Sequence, residues 1–145
     1  VSALPGQPEQ LVDRDGRATP LWYEFFRDQD AWKPFTSTLG AQSGALTTAT
    51  ATGRYKKIGA KTVIFSLAIS ITTNGTAAGY LTASLPFTGG VAAQVVSGRE
   101  NSSTGKMLQG VLNAGASTLF ILNYDNTYPG GNGYSLVLTG IIETK

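Results

Sequence analysis

The segment "NYDNTYPGGNGY", residues 123–134, gathers Tyr124, Asp125, Asn126 and Tyr128 beside Gly130, Gly131 and Gly133. Sugars are held by flat aromatic faces, which cover their C–H patches, and by planar amide or carboxylate groups, which pair with adjacent hydroxyls. This stretch offers both and is too rich in glycine to be core. A second segment, "SGRENSSTG" at 97–105, presents Arg99 and Glu100 with Asn101 and Ser102 on similar terms. The candidate glycan contacts are therefore Tyr124, Asp125, Asn126 and Tyr128, helped by Arg99 or Glu100 from the other loop. Both segments also suit ordinary surface turns, so composition leaves binding and simple chain reversal open.

Other chemistries lack their parts. The chain has no histidine and no cysteine. That removes the usual general base, the common zinc ligand, thiolate metal sites and every Ser-His or Cys-His nucleophile arrangement. Beyond residue 39 the acids are Glu100, Asp125 and Glu143, a thin basis for the paired carboxylates of a glycosidase or depolymerase. "YPGGNGY" lacks the lysine and the following helix of a phosphate-binding loop. The expectation is a binding or assembly protein: not an enzyme, with no cofactor and no metal.

Arg54, Lys56, Lys57 and Lys61 place four cations within eight positions. In a hairpin Tyr55 and Ile58 would face inward, Arg54, Lys56 and Lys57 would stay in water, and Gly59 would make the corner. Lysines often guard strands against edge-to-edge pairing, and a polyanion site is the competing reading. Charge gives that alternative little help. Residues 1–39 carry four cations and six acids, and residues 40–145 carry seven cations and three acids. A front of net charge −2 thus precedes a β part of +4, and neither demands a nucleic-acid partner.

The frame that must position these groups is legible in composition and period. Charged residues make up 14% of the chain, against a usual ~25%, and 18 glycines accompany many Thr, Ser and Ala. Such a mixture suits short strands and tight turns, an all-β protein. Residues 1–18, with Pro5, Gly6, Pro8 and "DRDG", have no apolar period and read as an extended arm. Thr19 then offers an N-cap, Pro20 a first helical turn and Glu24 a charge near the positive helix end. Leu21, Trp22, Phe25 and Phe26 fall on one face of this helix, assigned to 19–33. So greasy a face must be covered, by the chain's own β domain or by copies in a trimer.

The remaining residues, 34–145, form the β domain. In "TVIFSLAISIT" Val63, Phe65, Leu67, Ile69 and Ile71 alternate with small or polar residues, as in a strand with one side on a core. "TTNGTA" carries an Asn-Gly hairpin signal. With pieces near 35–39, 46–56, 79–85, 91–98, 106–112, 117–124 and 134–142, the count is about eight strands. The fold expected is an antiparallel β-sandwich, jelly-roll-like. No apolar run approaches the ~20 residues of a membrane span, and "VSALPGQPEQ" is not the apolar stretch of a secretory leader.

"TGRYKKIGAKTVIFSLAISI", "LTASLPFTG" and "YSLVLTGIIE" together resemble the C-terminal β domain of tailed-bacteriophage tail fibres and tail spikes. The matching positions are Gly53, Tyr55, Gly59, Val63, Leu85, Pro86 and Phe87, within residues 46–145. "VDRDGRATPLWYEFF" looks like the Asp-x-x-Gly-x-x-Thr helix lead-in of many virion proteins. The resemblance implies a homotrimeric β-sandwich, made in the host cytoplasm and displayed on a virion, binding host surface polysaccharide. Similar domains occur on head fibres and gene-transfer particles. The arm and helix would join other virion proteins, with no membrane insertion. The alternative from a different class is a structural decoration or adaptor piece without glycan binding.

Overall fold

The computed structural model describes residues 11, 12, 14–17 and 19–145. It holds one helix, α1 (Pro20–Asp30), and nine strands. These are β1 (Lys33–Thr36), β2 (Leu39–Ser43), β3 (Thr48–Lys57), β4 (Thr62–Thr73), β5 (Ala78–Ser84), β6 (Gln94–Glu100), β7 (Met107–Leu112), β8 (Thr118–Asn123) and β9 (Tyr134–Glu143). Among the described residues the fold is all-β apart from that helix. Every ladder is antiparallel, in the order β1-β3-β4-β9-β6-β7-β8-β5-β2.

That order holds a geometric constraint. β1 and β2 stand at opposite ends of the list, yet only Ser37 and Thr38 separate them in the chain. Two residues cannot span an open nine-stranded sheet, so the sheet curls until its edges meet. The seam is closed by hydrogen bonds. Ser37 N–H donates to the Ala51 carbonyl (2.9 Å), and Ser37 Oγ donates to the Ser84 carbonyl (2.8 Å). Thr38 N–H donates to Ser84 Oγ (2.8 Å), and Ser84 N–H returns to the Thr38 carbonyl (3.0 Å). The expected single piece near 35–39 is thus two strands with a kink, which makes nine where about eight were anticipated.

The inner face follows the period of two. Val63, Phe65, Leu67, Ile69 and Ile71 of β4 are buried, as are Leu136, Leu138 and Ile142 of β9, Leu119 and Ile121 of β8, and Leu81 of β5. Val96 fills a slot between two glycines. A Cβ on Gly140 would lie 2.2 Å from its Cγ1, and one on Gly110 would lie 2.7 Å from its Cγ2.

The Asn-Gly pair does not make a hairpin. Asn74 and Gly75 lie between β4 and β5, which do not pair with each other, so this turn crosses between distant parts of the sheet. Gly75 has the positive φ (65°) that the signal anticipates. Tertiary contacts decide where the chain goes next: Thr76 N–H donates to the Ala45 carbonyl, and Asn74 N–H donates to Asn132 Oδ1.

The helix is shorter than 19–33, because Ala31 is already extended. Pro20 takes the first helical position, and Thr19 has the extended N-cap backbone but makes no side-chain capping bond. No acid falls in the first turn, so Glu24 is too far along for the dipole interaction anticipated. Residues 1–10, 13 and 18 of the anticipated arm lie outside the described residues.

Gly53 and Gly59 both belong to the motif, but only Gly53 is packed. A Cβ there would sit 2.5 Å from Phe35 Cζ and 2.6 Å from the Ser66 carbonyl, whereas nothing lies within 4 Å at Gly59. Gly53→Ala should therefore lose about 1–3 kcal/mol of stability, and Gly59→Ala should stay within about 0.5 kcal/mol of the parent. Urea unfolding of the two variants distinguishes them, and equal midpoints would contradict the packing account.

Candidate functional site

Strand register sorts the connections between two ends of the sheet. The β4–β9 ladder pairs Thr62 with Glu143 and Ile71 with Tyr134, and the β6–β7 ladder pairs Gln94 with Leu112 and Arg99 with Met107. One end therefore carries loops 44–47, 74–77, 101–106 and 124–133. The other carries loops 58–61, 85–93 and 113–117 and receives the chain from α1. The segments 97–105 and 123–134, far apart in sequence, share an end.

Asn123 anchors the longer loop. Its buried carboxamide donates to Thr127 Oγ1 and to the Tyr128 carbonyl, both at 2.9 Å. Asn126 N–H closes the turn on the Asn123 carbonyl (3.0 Å), and Asn126 adopts φ 62°, a left-handed conformation that asparagine tolerates. Its Oδ1 accepts from Gln109 Nε2 at 2.7 Å. The tip is thus fixed by hydrogen bonds on both sides.

Asp125 sits at this tip. One carboxylate oxygen accepts from Thr127 Oγ1 (2.5 Å) and Thr127 N–H (3.2 Å), and the other meets Lys106 Nζ at 2.9 Å. The Thr127 hydroxyl first, and then the Lys106 ammonium, hold the Asp125 carboxyl down at about 2, and the same bond raises Lys106. Tyr124 stands beside it, 65% exposed. Its N–H donates to the Met107 carbonyl, and Met107 pairs with Arg99. The exposed side chains of Arg99, Met107 and Tyr124 therefore follow one another across neighbouring strand ends.

Two of the anticipated contacts point elsewhere. Tyr128 packs against the core, and its hydroxyl donates to Asn74 Oδ1 at 2.6 Å. Burial raises its pKa. Its ring ties two loops together and is not an open platform for a sugar. Glu100 is fully buried. Its carboxylate accepts from Ser102 N–H (2.7 Å), Ser102 Oγ (2.5 Å), Ser103 N–H (2.9 Å), Thr104 N–H (2.5 Å), Thr104 Oγ1 (3.0 Å) and Gly105 N–H (3.2 Å). These donors fill its acceptor positions from within, so Glu100 shapes the loop and does not reach a ligand. Period could have found this: Val96, Gly98 and Glu100 share the core-facing parity of β6, and Ser-Ser-Thr-Gly follows as a ready set of donors.

The basic run also divides. Arg54 lies over the Trp32 ring, 4.8 Å from its centroid. Lys57 has the parity of Tyr55 and lies on the opposite face of β3, and Ile58, expected inward, is 54% exposed in the loop. The pleat prevents these cations from forming one patch. On α1, Phe25 is buried while Leu21 and Phe26 remain largely exposed. Trp22 stacks on Phe26 at 5.8 Å and meets Phe25 edge-on at 5.7 Å. Its indole N–H is buried without a hydrogen-bond partner.

Among the described residues no group of three or more acids could hold a metal ion, and no helix is long and apolar enough to cross a membrane. Comparison with known proteins found no matching family model, no matching curated protein and no matching solved structure.

Burial alone would raise the Glu100 carboxyl, but the donors from Ser102, Thr104 and Ser103 outweigh it and hold the group well below the ordinary 4.5. The stability it contributes is then fully present above that ordinary value, and is lost as pH falls below it toward the folded value. Glu100→Gln should lower stability near neutral pH by about 1–3 kcal/mol through imperfectly met donors. It should also flatten the loss of stability between about pH 5 and pH 2. Denaturant titrations across that range test this, and an unchanged acid slope would place the titrating group elsewhere.

Proposed function

We propose that this chain is the attachment domain of a virion fibre or spike, active as a homotrimer that binds a host-surface glycan. It acts without catalysis, cofactor, nucleic acid or membrane insertion. The observation that carries the reading is the separation of ends. The tip bearing Tyr124, Asp125 and Arg99 faces away from the end at which α1 delivers the chain, as suits a module held at one end and binding at the other. The motif positions Gly53, Tyr55, Leu85, Pro86 and Phe87, which resemble fibre domains, support it from the sequence. So does the exposed apolar surface of Leu21 and Phe26 on α1, which copies of the chain or other virion proteins would cover.

The structural alternative, a decoration or adaptor piece, draws support from one specific observation. Tyr128 and Glu100 are engaged inside the fold, which leaves Tyr124 as the exposed aromatic of the tip. A site this sparse binds weakly, about 4 kcal/mol or millimolar, and three copies on a trimer and several trimers on a particle would supply avidity.

Tyr124→Ala with Asp125→Ala should lower particle adsorption at least tenfold and leave the thermal melt within a few degrees of the parent. Tyr128→Ala, by contrast, should lower the melt itself. Glycan-array binding that is absent in the parent trimer would favour the structural alternative. Assembly is read separately: light scattering should give a trimer mass at micromolar concentration, reduced by Trp22→Ser with Phe26→Ser while the β signal in circular dichroism persists. A monomer mass in the parent would remove the trimer from the proposal.

A further inference from the structure

A pocket of about 150 Å³ opens at the opposite end of the sheet from the Tyr124–Asp125 tip. Its polar wall is set by strand register. β1 pairs Lys33 with Tyr55, and Lys57 follows Tyr55 by two positions on the same face of β3. Lys33, Tyr55 and Lys57 therefore line the pocket together. Pro86, Phe87 and Ala31 continue the lining, with Phe87 beside Tyr55, and Asp28 contributes from near the end of α1. The aromatic surface is anchored, because Phe87 packs against Tyr55 (5.7 Å between centroids) and against the buried Phe65 (5.6 Å).

The β1 ladder on β3 ends at Tyr55, so Lys57 stands where β3 pairs with β4 alone. It shares the core-facing parity of Tyr55 and lines the same hollow as Phe87, at the mouth of the curled strands. Small-ligand sites often lie in the mouth of a barrel, where apolar surface meets convergent polar groups, and in this hollow the polar share is the larger. Two lysines against one aspartate give the lining a net positive charge, and the rings offer flat faces to a saturated ring.

We infer that this pocket binds a small carboxylate-bearing sugar of the hexuronate class. The carboxylate lies between Lys33 and Lys57, and the pyranose ring lies against Phe87 and Tyr55. A hollow of about 150 Å³ is of the size of one sugar residue. This site is distinct from the attachment tip, and it stands or falls independently of the attachment proposal.

The test is titration of the purified chain with glucuronate, followed by amide chemical shifts, with glucose and acetate as controls. Glucuronate should saturate in the millimolar range and shift the amides around Lys33, Tyr55, Lys57 and Phe87. Glucose should bind at least tenfold more weakly for lack of charge, and acetate at least tenfold more weakly for lack of a ring. Lys57→Met, which keeps the apolar stem, should weaken glucuronate at least fivefold, and Lys57→Arg should retain most of the binding. Both variants are compared at matched thermal melts. The inference is overturned by no saturable shift with glucuronate, by shifts confined to the 101–106 and 124–133 loops, by equal binding of acetate, or by full binding in the folded Lys33→Met, Lys57→Met variant. None of these results bears on adsorption through Tyr124 and Asp125.

Discussion

The meeting of the sheet's two edges at Ser37 and Thr38 governs the rest of this molecule. β1 and β2 occupy opposite ends of the strand order yet are joined by two residues, so the sheet must curl around its own inner face. Four hydrogen bonds cross the seam, with Ser37 donating through N–H and Oγ and Ser84 both donating and accepting. A net contribution of about 1 kcal/mol per bond is modest, but leaving these groups unpaired in a buried kink would cost more.

Curling gives the two ends different characters. At the tip, polar groups drawn inward hold the loops: Glu100 gathers the amides of residues 102–105, Asn123 holds Thr127 and Tyr128, and Tyr128 reaches Asn74 in a third loop. Buried polar networks of this kind are costly when half satisfied and rigid when complete. Here they fix long, glycine-rich segments in place, so that Tyr124 and Asp125 are presented on a defined surface. At the other end aromatic packing does the equivalent work. Phe35, Tyr55, Phe65 and Phe87 touch in series and support the corner at Leu85–Phe87 from below.

The helix belongs only partly to this scheme. Phe25 is buried, but Leu21 and Phe26 stay exposed, and the Trp22 indole N–H sits buried with no acceptor. A buried donor without a partner is disfavoured by roughly 1–3 kcal/mol. An apolar surface of this kind beside an unmet donor fits a segment whose packing is completed by further protein, the role given to it in the proposed assembly.

Period-two alternation in the sequence was enough to identify the β class, the bounds of β4, β7, β8 and β9 to within a residue or so, and the core residues of β4. Those depend on local parity, which each strand carries in its own side chains. The sequence also marked the 97–105 and 123–134 segments as polar and glycine-rich; strand parity reached as far as Glu100, but no period gave directions to the side chains of the 124–133 loop. Glu100 and Tyr128 looked like ligands because carboxylate and phenol are the right chemistry. They became struts because the register of β6 turned one inward and the crossing of Asn74 met the other. Likewise the Asn-Gly pair carried its turn geometry locally, while the choice between hairpin and crossover rested on which strands β4 and β5 found as neighbours. Local sequence determines conformation over a few residues; which strands pair, and so which polar groups are enclosed, depends on contacts between residues far apart in the chain, and only the closed sheet decides those.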